Sequence, residues 1–200
     1  MRTGPLTAVL IALSVVVAIW SSLGENHEVV NRLFITTSHE GFSLPEISHG
    51  EIWRLITPIF IHFGIPHLLF NMLWLKDLGT AIEKVSGTPS FLELVLATGI
   101  ISNFGEFAFH GPNFGGMSGV VYGLFGYVWM KAKYDPACGL RLANNTITWM
   151  IGWFVVCLTG IMGHVANYAH GVGLVVGMVW GIASAKQSPT KPGEWTNVPG

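Results

Sequence analysis

Charge is what this 200-residue chain has least of: ten Lys and Arg with eleven Asp and Glu leave it only 10% charged. A soluble domain carries about 25%, so an aqueous globular protein is excluded. The formal net charge of −1 offers no basic surface to a nucleic acid. Cysteine is scarce as well. Cys138 falls in a polar loop and Cys157 in an apolar run, so no disulfide framework is expected. The chain also lacks internal repeats, low-complexity tracts and a small-residue cleavage site after its first apolar run. That run is therefore expected to persist as a helix and not to be removed as a signal peptide.

Apolar residues fill the space that charge leaves. Half the chain is hydrophobic, with eight Trp, twelve Phe and 25 Gly, and the mean hydropathy is +0.53. Gly and interfacial aromatics are enriched in helical membrane proteins. A helix needs about 20 apolar residues to cross a bilayer. Stretches at roughly 6–23, 66–84, 90–109, 118–132, 147–162 and 167–185 meet or approach that length. The expected fold is all-α: a compact bundle of six transmembrane helices forming one domain over residues 1–186. The polar tail, 187–200, has a disordered composition. Residues 24–65 make a long first loop that lies in water or along the interface.

Orientation follows from the Lys and Arg residues. With a cytoplasmic N-terminus, Arg2, Lys84, Lys131, Lys133, Arg141, Lys186 and Lys191 fall inside, and only Arg32 and Arg54 outside, in the long loop. Both termini are thus expected in the cytoplasm. The same charges serve as depth markers. At about 1.5 Å per residue, Ser118 lies about 20 Å from Lys131, and His170 about 24 Å from Lys186. Asn71 and His67 lie about 20 and 26 Å from Lys84. These polar residues on separate helices share one layer of a hydrocarbon core about 30 Å thick.

Ionisable groups at that depth are costly and mark function by default. Ser118 follows His110-Gly111-Pro112-Asn113-Phe114-Gly115-Gly116, a stretch that cannot be helical. Irregular backbone at membrane depth needs protein or a wet cavity around it. This stretch should therefore deliver Ser118 to a helix start, where free N–H groups and the helix dipole favour negative charge. Gly115, Gly119 and Gly123 recur every four residues, as do Gly173, Gly177 and Gly181; such spacing lets membrane helices approach closely. Ser118 is then a nucleophile and His170 its general base. Tyr122, one turn after Ser118, is placed to pack on the imidazole. No carboxylate is placed to orient the ring, so a dyad is expected. His67 and Asn71, four apart on one helix, supply oxyanion donors together with the Ser118 N–H.

On these residues the chain resembles the rhomboid intramembrane serine proteases. The signatures are His62-x4-His67-x3-Asn71, Gly116-Met117-Ser118-Gly119-Val120-Val121-Tyr122 and Ala169-His170-x2-Gly173-x3-Gly177, with Trp53-Arg54 in the first loop. The resemblance implies an endopeptidase with no cofactor and no metal, acting through an acyl-enzyme on single-span membrane proteins within the lipid bilayer. It implies support from Gly116, Gly119 and His62, the last placed near the surface. It makes Phe70, with Trp149 or Trp153, candidates for a lateral gate. The compact form fits a multi-pass protein of a bacterial inner membrane.

Blander readings compete. Taken alone, Ser118 is a small packing residue and His170 a satisfied core histidine; their common depth argues against both. Asn71 as interhelical glue leaves the Ser–His pair unexplained. A non-proteolytic relative that binds membrane proteins would typically lose the Ser or His, and this chain keeps both. Two membrane histidines also suit haem ligation, which would leave Gly-Met-Ser-Gly and Asn71 without a purpose. His27, His39, His49, His110 and His164 read as interfacial.

Overall fold

The computed structural model describes residues 2–143, 145–161, 163 and 165–187; His164 and nearly all of the polar tail lie outside them. Among the described residues the regular structure is entirely helical. A helix occupies each predicted stretch, with shifted ends.

Helix α1 spans Pro5–Trp20 with proline in its first turn, where the missing N–H costs nothing. It stops three residues short of the predicted end, because Ser22 and Leu23 adopt left-handed backbone at φ 50° and 56°. The buried Glu83 carboxylate grips its start, accepting from the N–H groups of Leu6 (2.8 Å) and Thr7 (3.0 Å) and from the Thr7 hydroxyl (2.8 Å). A negative group at a helix N-terminus is favourable.

The first loop is folded. It carries α2 (His27–Leu33), capped by Asn26, then α3 (Pro45–Ser48) and 3-10 turns at Ile52–Leu55 and Thr57–Phe60. Arg54 is buried, donating to Glu51 (2.6 Å) and to the carbonyls of Asn31 (2.7 Å) and Phe34 (2.9 Å). Its neighbour Trp53 is half-exposed. Glu46 accepts from the hydroxyls of Thr36 and Thr37, both at 2.6 Å.

Helix α4 (Ile65–Trp74) runs through a π turn at Leu75–Gly79 into α5 (Thr80–His110). The 46 residues Ile65–His110 and the 21 residues Asn167–Gln187 are each long and apolar enough to cross a membrane. The first is not one straight rod. Gly87 has φ 81° and ψ 160°, backbone open to glycine but not to side chains with a Cβ, and Pro89 follows. The chain turns a corner there, which explains the predicted break between 84 and 90.

Helix α6 (Ser118–Tyr134) is the hub, buried along almost its whole length. Helix α8 (Asn167–Gln187) packs on it through glycine. A Cβ on Gly173 or Gly177 would overlap the carbonyl oxygens of Gly119 and Gly123, and one on Gly181 would lie 2.6 Å from the Tyr127 oxygen. On α6 the glycines do a different job. A Cβ on Gly119 would meet Ser102, and one on Gly123 would meet Thr98, both on α5. The two glycine series thus make room for three converging helices, where the spacing alone suggested two. Helix α7 (Thr146–Leu158) is shallowly embedded, burying only Thr146, Met150 and Cys157.

Candidate active site

The segment before α6 is irregular, as its Gly and Pro content requires, and neighbouring groups hold it. The Gly116 N–H donates to the Pro58 carbonyl at 3.0 Å, and the Met117 N–H to His62 Nε2 at 3.5 Å. His62 Nδ1 in turn donates to the Phe60 carbonyl at 3.0 Å. That bond fixes the tautomer that leaves Nε2 as acceptor. His62 was expected near the surface. It is completely buried, because both ring nitrogens are occupied in shaping the turn that presents Ser118.

Ser118 opens α6, so its N–H has no partner within the helix. Its hydroxyl lies 2.8 Å from His170 Nε2, within reach for proton transfer. His170 is 4% exposed. The Tyr122 ring lies 4.7 Å from the imidazole, centroid to centroid, at 33°, and Phe154 approaches edge-on at 6.0 Å. The Tyr122 hydroxyl donates to the Met150 carbonyl at 3.0 Å. The tyrosine thus ties α7 to the ring it packs against. No carboxylate bonds the imidazole among the described residues.

His67 and Asn71 share the same cavity. His67 Nδ1 accepts from the Phe63 N–H at 3.3 Å, so the neutral ring carries its hydrogen on Nε2. That atom lies near the Ser118 hydroxyl: a Cβ on Gly116 would sit 2.7 Å from His67 Nε2 and 3.6 Å from Ser118 Oγ. Gly116 has φ 131°, so both its backbone conformation and its lack of a side chain are needed there. Asn71 is buried and gives one N–H to the His67 carbonyl at 2.9 Å. The cavity has a volume of about 600 Å³, and Ser118, His170, His67, Asn71 and Tyr122 all line it. Gly119 lies outside the cavity wall and acts through packing.

The gate candidates line the same cavity on its α4 and α7 side. Phe70 and Trp153 touch at 5.8 Å between ring centroids, and Trp149 is 68% exposed. A larger cleft of about 990 Å³ opens between α5, α6 and α8, near Lys131. Some of its polar groups pair with one another, the Lys131 ammonium bonding the Ser184 hydroxyl at 2.9 Å. It holds no nucleophile–base pair of the Ser118–His170 kind.

Two contributors escaped sequence reasoning. Glu106 is fully buried beside the site; it accepts from the Ala169 N–H at 3.0 Å and from His110 Nδ1 at 2.8 Å. It therefore anchors the turn that carries His170. The signal was the four-residue spacing from Glu106 to His110, which puts both on one helical face. Asn167, three residues before His170, donates to the Cys157 carbonyl at 3.2 Å.

A family model described as Rhomboid domain matches residues 49–187. Among similar proteins, the rhomboid protease GlpG of Salmonella paratyphi A is 36% identical over 178 residues, covering 88% of this chain and 62% of that protein. The rhomboid protease GlpG of Photorhabdus laumondii is 31% identical over 179 residues, covering 89% and 61%. The chain thus spans about three-fifths of the length of these relatives.

Proposed function

The chain belongs to the rhomboid family, and from that premise we propose that it is a serine endopeptidase cleaving membrane proteins inside the bilayer. The 2.8 Å contact between Ser118 and His170, on the wall of a cavity of about 600 Å³, carries this reading. Ser118 Oγ attacks the scissile carbonyl as His170 Nε2 takes its proton. The Ser118 N–H, His67 Nε2–H and an Asn71 N–H stabilise the oxyanion. His170 returns the proton to the leaving amine. Water entering the cavity then hydrolyses the acyl-enzyme, and His170 again serves as base.

The reading extends to topology. Helices near 5–20, 65–86, 88–110, 118–134, 146–158 and 167–187 cross the membrane six times as one domain, with both termini in the cytoplasm of a bacterium. Substrates are single-span proteins. They enter between α4 and α7, past Phe70, Trp149 and Trp153, and partly unwind to expose the scissile bond.

The test is cleavage of a single-span substrate in proteoliposomes, with fluorophosphonate labelling of Ser118. Ser118→Ala and His170→Ala should each lower turnover by about 10⁴-fold or more. Cleavage that survives either substitution overturns the assignment. A chain that binds membrane proteins without labelling or cleaving them would be a non-proteolytic relative.

A further inference from the structure

Two buried polar atoms at the start of α8 have no hydrogen-bond partner among the described residues: His170 Nδ1 and Asn167 Oδ1. They belong to residues three apart on one helix, so their side chains are neighbours on one face. They are also complementary. His170 Nε2 faces the Ser118 hydroxyl, which leaves the hydrogen of the neutral ring on Nδ1, a donor. The Asn167 Nδ2 is committed to the Cys157 carbonyl, which leaves Oδ1, an acceptor. Buried polar groups are almost always paired with protein or ordered water. A water placed between a donor and an acceptor satisfies both.

Resting on the proteolytic reading above, we propose that Asn167 is the positioning residue for His170, acting through one buried water. The water accepts from Nδ1–H and donates to Asn167 Oδ1. This bridge would hold the tautomer that Ser118 needs and stabilise the imidazolium formed during attack, the task a carboxylate performs in a triad. Glu106 secures the backbone of the same turn through Ala169, and its other oxygen is taken by His110. Ring and backbone therefore have separate anchors.

The groups facing His170 across the cavity are His67 from α4, Glu106 and His110 from α5, Ser118 and Tyr122 from α6, and Cys157 from α7. The only carboxylate among them is committed to the Ala169 N–H and His110. A new carboxylate at residue 167 would thus be the first directed at Nδ1.

The experiment compares Asn167→Ala and Asn167→Asp in the full chain, in proteoliposomes, by cleavage kinetics and fluorophosphonate labelling. Asn167→Ala should lower kcat about 10- to 100-fold, the loss expected for a hydrogen bond to a developing charge, with KM within about twofold. Asn167→Asp keeps the acceptor and adds charge. It should recover most of the rate and move the acidic limb of the pH–rate profile up by about one unit. A role confined to the Cys157 bond predicts something else: both variants lack Nδ2, so both slow equally. That result overturns the proposal. So does an alanine variant that labels at the wild-type rate. Should the alanine variant not fold, the rate of Asn167→Asp decides alone: a rate within about tenfold of the native chain supports the bridge, and a larger loss overturns it. A wild-type chain that neither labels nor cleaves removes the proteolytic reading itself, and this inference with it.

Discussion

The seam between α6 and α8 can be tested with two alanines placed two residues apart. A Cβ on Gly173 would overlap the Gly119 carbonyl oxygen and lie 2.9 Å from its carbon and 3.3 Å from its Cα. Carbon–oxygen contacts settle at about 3.3–3.6 Å, and a backbone carbonyl cannot swing aside, so the helices must part by about 1 Å. Overpacking of this kind costs about 1–3 kcal/mol. Gly119 adjoins Ser118, and the same displacement would stretch the 2.8 Å contact with His170 towards the limit of a hydrogen bond. A 1 Å misplacement of reacting groups costs about 10²-fold in rate. A Cβ on Gly171, by contrast, would meet only Phe154, at 3.6 Å. Both substitutions gain about 1 kcal/mol of helix propensity. That gain cancels in the comparison and leaves the overpacking term. Gly173→Ala should therefore be about 1–3 kcal/mol less stable than Gly171→Ala in detergent unfolding, and label with fluorophosphonate about 10²-fold more slowly. Equal unfolding midpoints, or labelling rates within threefold of each other, would refute the close-approach argument.

Two further outcomes are expected. The Phe70–Trp153 contact closes the α4–α7 side of the cavity. An aromatic pair contributes about 0.5–1.5 kcal/mol, so Trp153→Ala should favour opening and raise turnover of a slow single-span substrate by about 2- to 10-fold; unchanged or reduced turnover argues against a gate there. In the first loop, burial alone would raise the Glu46 carboxyl, but hydrogen bonds from Thr36 and Thr37 outweigh it and bring it from 4.5 to about 2. A folded value below the unfolded one means that this contribution is present above about pH 4.5 and is lost as pH falls towards 2. The unfolding midpoint of the native chain should therefore fall more steeply over that window than that of Glu46→Gln, and parallel slopes would refute the role assigned to the staple.

The features most legible in the sequence were polar ones in apolar surroundings. Ser118, His170, His67 and Asn71 could be placed at one depth because each stood out from its helix, and they do line one cavity. Packing was much less legible. In a soluble helix, burial and polarity alternate, whereas here lipid-facing and buried positions are both apolar. Val16 and Ile19 on α1 are exposed, while Val120 and Leu124 on α6 are fully buried, and composition does not separate them. The burial of His62 was missed because its partners are backbone groups, which sequence does not display. Glu106 was passed over for the same reason: its partner in the site is the N–H of Ala169.

The division of labour in the bundle follows from where the small residues lie. Ser118 and His170 stand on the two helices whose backbones come closest, and glycine makes that approach possible at Gly173 and Gly177. Interiors packed this tightly transmit strain and permit little relative motion, which holds the Ser118–His170 contact at its 2.8 Å, as the proposed nucleophile and base require. The opposite wall is built from large side chains on α7, a shallowly embedded helix. Trp149 is mostly exposed and Trp153 nearly half so, and α7 is tied to the core by few groups, among them the Tyr122 hydroxyl on Met150 and the Asn167 amide on Cys157. Segments with few buried contacts open at low free energy. On the proposed reading, a site that admits a substrate helix and still keeps Ser118 and His170 in register needs both properties. Tyr122 and Asn167 reach from the rigid side to the loose one, so opening α7 would act directly on two neighbours of His170.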